Sequence, residues 1–439
     1  MLTRKTTAQL SQYNDGEEVQ IAGWVYQVRD LGKIVFVLLQ DRDGKMQVIF
    51  REELVEQARN LNLQDVIEVD GIVRAIEPGT IKDERVAQEF EILGSKLWVL
   101  SKAATPLPLP ISDDLVLSTT GLDTRLDHRT LDLRRMEVRA IFKVQESIVR
   151  AFREFLTAND FIEVHSPKIV ATGTEGGTEL FKVAYFDETA YLAQSPQFYK
   201  QMLVGAGFER VFEVAPVFRA EPHKTVRHLN EYLSLDYEMG FIKSLDEVMD
   251  LENALLQYMF RKLFEEHEEI VTKQYHSTIP VVPNRIPKIA FKEAFEILEK
   301  AEGDDLSPQD EKNICNYAID TFDSEFVFVT HFPEGKRPFY TMPSSDRPGY
   351  TESFDLLLRG LEVTTGSQRI HSYELLIQKL EQHVGISTGF EYYLEPFKYA
   401  MPPHGGLAIG AERMTMQTLR LENVREACLF PRDKTRITP

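Results

Sequence analysis

The chain has 439 residues, 43% hydrophobic and 27% charged, which is enough for two or three globular domains with substantial cores. Its N-terminus, MLTRKTTAQLSQYNDG, lacks a charged-then-apolar leader, and no apolar run approaches the ~20 residues of a membrane span, so a soluble, cytoplasmic protein is expected. A net charge of −19 argues against non-specific adhesion to nucleic acid but leaves room for a local basic patch, and the two cysteines, Cys315 and Cys428, form neither a metal spacing nor a disulfide framework.

Residues 17–100 read as an all-β module. EEVQIAGWVYQVRD, KIVFVLLQDRDGKMQVIF, DVIEVDGIVRAI and FEILGSKLWVL are strand-like runs, with an Asp43-Gly44 turn inside the second. EELVEQARNL, between the third and fourth strands, has a helical pattern. Five strands and one helix point to a small oligonucleotide-binding barrel. Phe36 and Gln47 flank the turn on adjacent strands, where an aromatic can stack on an unpaired base and a carboxamide can read its edge. On spacing alone a strand Phe belongs in the core.

Residues 101–132, with AATPLPLPISDD, are proline-punctuated and read as a linker. From about Leu133 to Leu156 apolar residues recur at helical spacing. FIEVHSPKIV follows as a strand broken by Pro167, and ATGTEGGTELF as a glycine-rich loop carrying Glu175 and Glu179. YLAQSPQFYKQM supplies Gln194, Ser195, Gln197 and Lys200. The stretch FERVFEVAPVFRAEPHKTVRHLNEYLSLDYEMGFI, 208–242, reads as a hairpin. Tyr232, Ser234, Asp236 and Glu238 share one face of its second strand, and Glu213, Arg219 and Glu221 share one face of the first. Charged residues are seldom buried unpaired, so this face is expected to look into a cleft.

Residues 246–268 form an acidic amphipathic helix by pattern, and 285–335 read as helices and a strand without evident chemistry, hence scaffold. FDLLLRGLEV continues into TTGSQRIH, bringing Glu362, Thr365, Gln368 and Arg369 to a strand end. MPPHGGLAIGAERMTMQTLR reads as strand into helix, with Arg413 in the first helical turn. A cation is unfavourable there, so an anion is expected close by.

Arg219, Arg227, Arg369, Arg413 and Lys200 suit a polyphosphate, since guanidinium groups stay charged and bind it bidentately. Glu362 with the Thr365 hydroxyl suits Mg²⁺, which binds through one or two carboxylates and substrate phosphates. There is no GxxxxGK[ST] loop and no GxGxxG after a strand. The chemistry left is ATP-dependent activation on an antiparallel sheet.

FRAE with RHLNEY resembles motif 2 of the class II aminoacyl-tRNA synthetases, GGLAIGAER resembles motif 3, and the helix ending in FIEVHSPKI resembles motif 1. Within that class, TEGGTELF, QSPQFYKQ, FRAE, GSQRIH and MPPHGG resemble the aspartyl-tRNA synthetases of the short archaeal and eukaryotic type. The likeness covers nearly the whole chain. It implies an α+β fold: an OB-fold anticodon-binding barrel at 1–103, a hinge at 104–132, and a catalytic domain at 133–439 built on an antiparallel sheet flanked by helices. No bacterial-type insertion fits between motifs 2 and 3.

The resemblance further implies that Arg219 holds the ATP α-phosphate, Glu221 and Tyr232 the adenine, Arg227 and His228 the β/γ-phosphates, and Arg413 the γ-phosphate and base. Glu362 and Thr365 take the Mg²⁺ positions; Thr365 stands where relatives commonly carry Ser. Lys200 and Arg369 clamp the aspartate side chain, Asp236 and Glu175 face its ammonium, and Ser195 and Gln197 complete the pocket. Phe36, Gln47 and Glu91 match anticodon-loop positions, and a homodimer is implied. The asparaginyl sister enzymes typically carry SGQ…E where this chain has QSPQFYK, and the neutral amide of asparagine would leave Lys200 without an anionic partner. Recognition of tRNA(Asp) alone, or of tRNA(Asn) as well, stays open. So does a paralogue without catalysis, which the joint presence of Arg219, Glu221, Glu362 and Arg413 disfavours.

Overall fold

The computed structural model describes residues 3–77, 79–81, 86–111, 120–173, 179–222, 224–385 and 389–439. Two compact units divide the chain, Met1–Met136 and Glu137–Pro439.

In the first unit, β1 (Arg4–Lys5), β2 (Glu18–Asp30), β3 (Ile34–Gln40), β4 (Lys45–Arg51), β5 (Val66–Ala75) and β6 (Phe90–Ser101) follow the order β1-β2-β3-β4-β6-β5. A further β2–β5 pairing closes the five long strands into a barrel. Period-2 alternation drives this: Val35, Val37 and Leu39 of β3 are buried inside, while Phe36 between them stays half-buried. The β3–β4 turn is fixed by Asp41, whose Oδ1 accepts from the amides of Asp43 (2.8 Å) and Gly44 (2.9 Å). A 3₁₀ turn (Glu52–Leu54) and a short helix (Val55–Arg59) occupy the expected helical stretch. The expected linker carries helices at Leu122–Asp127 and Arg129–Asp132, and Arg125, Arg129 and Arg135 converge on the buried Asp132 carboxylate at 3.0, 2.7 and 3.4 Å.

The second unit is built on an eight-stranded sheet. Its strands are β7 (Ile162–Glu163), β11 (Arg210–Phe218), β12 (Glu231–Gly240), β13 (Lys288–Ala290), β14 (Phe326–Thr330), β15 (Ser353–Leu358), β16 (Leu361–Arg369) and β17 (His404–Gly410). Their order is β13-β14-β15-β16-β17-β12-β11-β7. The six central strands are antiparallel, as expected, and a parallel pairing closes each edge. A separate small sheet holds β8 (Ile169–Val170), β9 (Lys182–Tyr185) and β10 (Glu188–Leu192). FIEVHSPKIV is therefore two strands in two sheets, because Pro167 cannot donate to a continuous ladder.

One face of the large sheet packs on the helices Met136–Ala158 and Leu245–Glu269. Ile141, Val144, Ile148 and Phe152 of the first and Leu255, Leu256 and Met259 of the second meet Phe212, Leu235, Tyr237, Phe354 and Leu407. Each such fully buried side chain contributes roughly 1.5–3 kcal/mol. The other face is covered toward β13 by the helices Phe291–Ile297 and Pro308–Phe322, through Val327, Val329 and Leu357, and near β11 by the helix Gln197–Leu203 with Ser166 and Lys168, which leaves a cleft over part of β12, β16 and β17. FDLLLRGLEV is a hairpin rather than one strand. Arg359 and Gly360 turn with φ of +51° and +86°, and the Arg359 guanidinium is held by Glu325 (2.6 Å) and by the Thr278 and Gln417 carbonyls. This separates Glu362, at the start of β16, from Arg369 at its end.

Candidate active site

The open face of β12, β16 and β17 floors a cleft of about 530 Å³. Tyr232, Ser234 and Asp236 of β12 line it, as their alternation implies, with Leu235 and Tyr237 turned into the core. Glu213 does not. It sits opposite Asp236 in the ladder, but its carboxylate accepts from Ser166 (2.7 Å) and Lys168 (2.8 Å) outside the cleft.

At one end of the floor lies a buried charge cluster. Lys200, on the helix Gln197–Leu203, donates to Asp236 Oδ1 at 2.8 Å and to the Leu407 carbonyl at 3.2 Å, with Glu238 Oε2 at 3.6 Å. Arg369 grips Glu238 side-on through Nε (3.0 Å) and Nη2 (3.3 Å), and also donates to Gln197 Oε1 (3.1 Å), the Gly406 carbonyl (3.1 Å) and Ser367 Oγ. Ser234 donates to the second Asp236 oxygen. A Cβ at Gly406 would collide with the Tyr237 carbonyl and the Glu238 carboxylate, so the strand must carry glycine there. Burial pushes the Glu238 carboxyl up, but Arg369 and Lys200 more than offset this and hold it below the usual value. His404 stays neutral: burial takes it down to about 4, Nδ1 donates to the Pro402 carbonyl (2.8 Å), and Nε2 accepts from Gln201 (2.9 Å). Lys200 thus has two carboxylates beside it before any substrate arrives, which corrects the expectation that it depends on substrate for an anionic partner.

The other end alternates arginines and carboxylates. Arg413, in the first turn of the helix Ala411–Leu419, donates to the Glu362 carbonyl (3.2 Å) and to Glu362 Oε2 (3.3 Å), and its Nε donates to the Arg227 carbonyl (3.3 Å). Glu362 is the expected anion. Arg227 donates to Glu311 Oε1 at 2.6 Å, and Arg337 to Asp355 Oδ2 at 2.8 Å. Thr365 donates to Glu362 Oε1 at 2.8 Å. Burial raises Asp355, with the Glu362 charge adding to the rise and Arg337 opposing it; Glu362, opposed by burial, is brought below its usual value by Arg413 and the Thr365 hydroxyl. Among the described residues no three His, Cys, Asp or Glu side chains are grouped to hold a metal. Two carboxylates whose charges already oppose each other, beside a hydroxyl, fit a divalent cation that also uses phosphate oxygens.

Arg219 and Tyr232 lie together on the cleft wall, the guanidinium 5.9 Å from the ring centroid. Glu221, His228, Ser195 and Gln197 also line the cleft. The structure therefore gathers Arg219, Glu221, Arg227, His228, Tyr232, Glu362, Thr365, Arg413, Ser195, Gln197, Asp236 and Arg369 around one space, while Lys200 is buried behind that lining and reaches it through Asp236. Glu175 lies outside the described residues. Sequence reasoning put Glu238 on the cleft-facing side of β12 without giving it a role, whereas the structure buries it beneath the lining against Arg369, and it missed Arg337, Asp355 and Glu311. The three missed residues carried no local signal, because each meets the site only through the tertiary fold.

On the barrel, Phe36 of β3 and Gln47 of β4 share a face, since Leu38 is the ladder partner of Gln47. Gln47 donates to Glu91 Oε2 at 2.8 Å, and Glu91 is buried and paired with Arg74. Glu91 thus orients Gln47 rather than standing open itself.

The comparisons bear on this geometry. A family model described as tRNA synthetases class II (D, K and N) matches residues 121–434, and one described as an OB-fold nucleic acid binding domain matches residues 19–100. The chain is 45% identical to a protein named aspartate–tRNA(Asp/Asn) ligase from Aeropyrum pernix, covering 97% of this chain and 96% of the relative. It is 42% identical to one named aspartate–tRNA(Asp) ligase from Pyrococcus abyssi, covering all of both. Among solved structures it resembles asparaginyl-tRNA synthetase from Pyrococcus horikoshii complexed with asparaginyl-adenylate, with a TM-score of 0.91, 31% identity and full coverage of both chains.

Proposed function

The chain belongs to the class II tRNA synthetases of the D, K and N group and, within it, to the aspartate–tRNA ligases, and from that premise we propose how its residues divide the work. L-Aspartate attacks the ATP α-phosphate, giving aspartyl-adenylate and pyrophosphate; the aspartyl group then passes to the terminal ribose of tRNA. Lys200 and Arg369 hold the side-chain carboxylate, with Ser195 and Gln197 around it. Asp236, together with Glu175, takes the ammonium. Arg219 neutralises charge developing at the α-phosphate, and Glu221 and Tyr232 hold the adenine. Arg227, His228 and Arg413 bind the β/γ-phosphates. No side chain acts as nucleophile; positioning and electrostatic stabilisation lower the barrier.

Class II synthetases work with ATP and divalent metal ions, and Glu362, Thr365 and Asp355 are the groups here that would hold Mg²⁺, which supplies charge neutralisation on the phosphates. On the barrel, Phe36 and Gln47 read the anticodon loop, with Glu91 fixing Gln47. We place residues 1–103 in the barrel, 104–132 in a hinge and 133–439 in the catalytic domain. A homodimer is supported by the small sheet, which leaves Ile169, Tyr185 and Phe186 exposed. A cytoplasmic setting is supported by the buried thiol of Cys315, as fits a reducing compartment. Among the described residues no helix is long and apolar enough to cross a membrane.

The observation that carries this reading is a cleft with the buried Arg369 at one end, Lys200 buried behind that end on Asp236, and a set of arginines at the other. Both cations donate and cannot accept. A carboxylate offers them two acceptor oxygens, whereas an asparagine amide must turn an NH₂ toward one of them. The test is aminoacylation with labelled aspartate on tRNA(Asp) and tRNA(Asn) transcripts, with asparagine as control. Charging of both tRNAs is expected of an enzyme that also serves tRNA(Asn); charging of tRNA(Asp) alone marks a discriminating one. Asparagine charged as well as aspartate would overturn the amino-acid assignment.

A further inference from the structure

The helix Pro308–Phe322 belongs to a stretch with no motif, yet it brings a buried carboxylate to the nucleotide end of the cleft. Ser307 caps the helix, accepting from the Asp310 amide at 3.2 Å, and Ile314, Cys315 and Ala318 anchor it against Phe291, Val327 and Val329. Glu311, one turn in, is thereby held on a rigid element with only 6% of its surface exposed. Its two oxygens do two different things. Oε1 accepts from Arg227 Nη2 at 2.6 Å, and Oε2 accepts from the backbone amide of Glu362 at 3.3 Å.

Arg227 needs such support. It stands on the loop between β11 and β12, where neighbouring Val226 is half exposed. The loop is tied through backbone groups: the Val424 amide donates to the Val226 carbonyl at 2.8 Å, and Arg413 Nε donates to the Arg227 carbonyl at 3.3 Å. Neither bond restrains the Arg227 side chain, a flexible stem that loses rotamer freedom when it grips a phosphate. The ion pair with Glu311 is the contact that fixes its guanidinium, 84 positions away in sequence. Its Nε–H is buried and meets no acceptor among the described residues, so donor capacity remains after Glu311 is served.

We infer that Glu311 is a positioning residue for ATP: it holds the Arg227 guanidinium ready for the β/γ-phosphates and ties that arm to the start of β16, where Glu362 lies. This rests on the assignment of Arg227 to those phosphates. Glu311 touches no substrate; it acts through Arg227, lowering the ordering cost of binding.

The test compares two ligands on the full-length protein by calorimetry. One is a non-hydrolysable ATP analogue with Mg²⁺. The other is the aspartyl sulfamoyl-adenosine mimic of the adenylate, which lacks β- and γ-phosphates. Glu311→Gln, which keeps shape and removes charge, is expected to weaken the ATP analogue about tenfold, as fits loss of one charge-assisted contact. It should leave the sulfamate affinity within about twofold, and that unchanged affinity also reports an intact fold. In a background of Arg227→Ala the same change should add nothing, the signature of two residues acting as one unit. In pyrophosphate exchange the loss should appear in KM for ATP, with kcat retained. Equal weakening of both ligands would make Glu311 merely structural and overturn the inference. So would unchanged or tighter ATP binding in Glu311→Gln where Arg227→Ala is impaired. Unchanged ATP affinity in Arg227→Ala would instead overturn the assignment of Arg227 itself, and this inference with it.

Discussion

Lys200 is paired inside the protein before any substrate binds. A cation reserved for the substrate would be an unpaired buried charge, and the protein avoids that cost with Asp236 and Glu238. Preference for aspartate must then arise from donors meeting acceptors rather than from relief of an unpaired charge. Lys200→Met is expected to lower kcat/KM for aspartate by about 100-fold, close to the loss of one buried charged hydrogen bond, with KM for ATP nearly unchanged. Pyrophosphate exchange with each substrate varied in turn checks this; an equal rise in both KM values would contradict it. Glu252, on the core side of the same sheet, is a second case. Burial raises its carboxyl to about 8, with the Thr364 hydroxyl offsetting part of the rise and Asp355 adding to it. A carboxyl raised on folding contributes stability that is fully present below its unfolded value near 4.5 and is lost as pH climbs through about 8. Glu252→Gln should therefore flatten the fall in stability between those limits. The gain at the alkaline end is at most on the order of 4–5 kcal/mol. Urea unfolding at several pH values without magnesium measures it, and parallel pH profiles for wild type and variant would refute it.

At the scale of strands and helices, legibility followed the range of the signal. The face of β12 was readable because alternation is local, and motif 3 was readable because Gly410 and Arg413 sit within one strand-to-helix junction. The hairpin at Arg359-Gly360 was not, since Arg at a left-handed turn position gives no turn signal; it is tolerated because Glu325 and two carbonyls hold its side chain. Nor were the contributions of the 246–335 region. Glu252 and Glu311 look like surface acids on amphipathic helices until the sheet brings Thr364 and Arg227 against them. Glu213 erred in the opposite sense, sharing the right face but lying beside Ser166 and Lys168. Strand spacing supplies a further expectation. Gly406→Ala drives a methyl group into the Tyr237 carbonyl and the Glu238 carboxylate, so it should cost about 1–3 kcal/mol of stability and most aspartate activation. Gly335→Ala, also on the cleft but with open space around its Cβ, should leave stability within about 0.5 kcal/mol. Thermal melts of the pair, with exchange assays, separate strand spacing from mere loss of a glycine.

Over the whole molecule, two separate cores determine how ligands report. The barrel core gathers Ile21, Val37, Val48 and Ile67, whereas the catalytic core gathers Phe152, Phe212, Leu235 and Phe354, and the two sets share no residue. A ligand stabilises only the unit that binds it, by RT ln(1 + [L]/Kd), about 2.7 kcal/mol at one hundred times Kd. The cleft lies within Glu137–Pro439, and Phe36, Gln47 and Glu91 lie within Met1–Met136. Calorimetric melting should thus show two transitions. The sulfamate mimic of aspartyl-adenylate should raise one of them by several degrees, and an isolated anticodon stem-loop should raise the other. The stem-loop effect should fade with added salt, because phosphate contacts on a protein of net charge −19 depend on local cations alone. Substituting Phe36 with Ala should remove the stem-loop shift and leave the sulfamate shift untouched. A single transition moved equally by both ligands would show that the two cores unfold as one cooperative unit. In that case anticodon recognition and adenylate formation would be coupled through stability itself, and the Phe36 variant would be impaired in both.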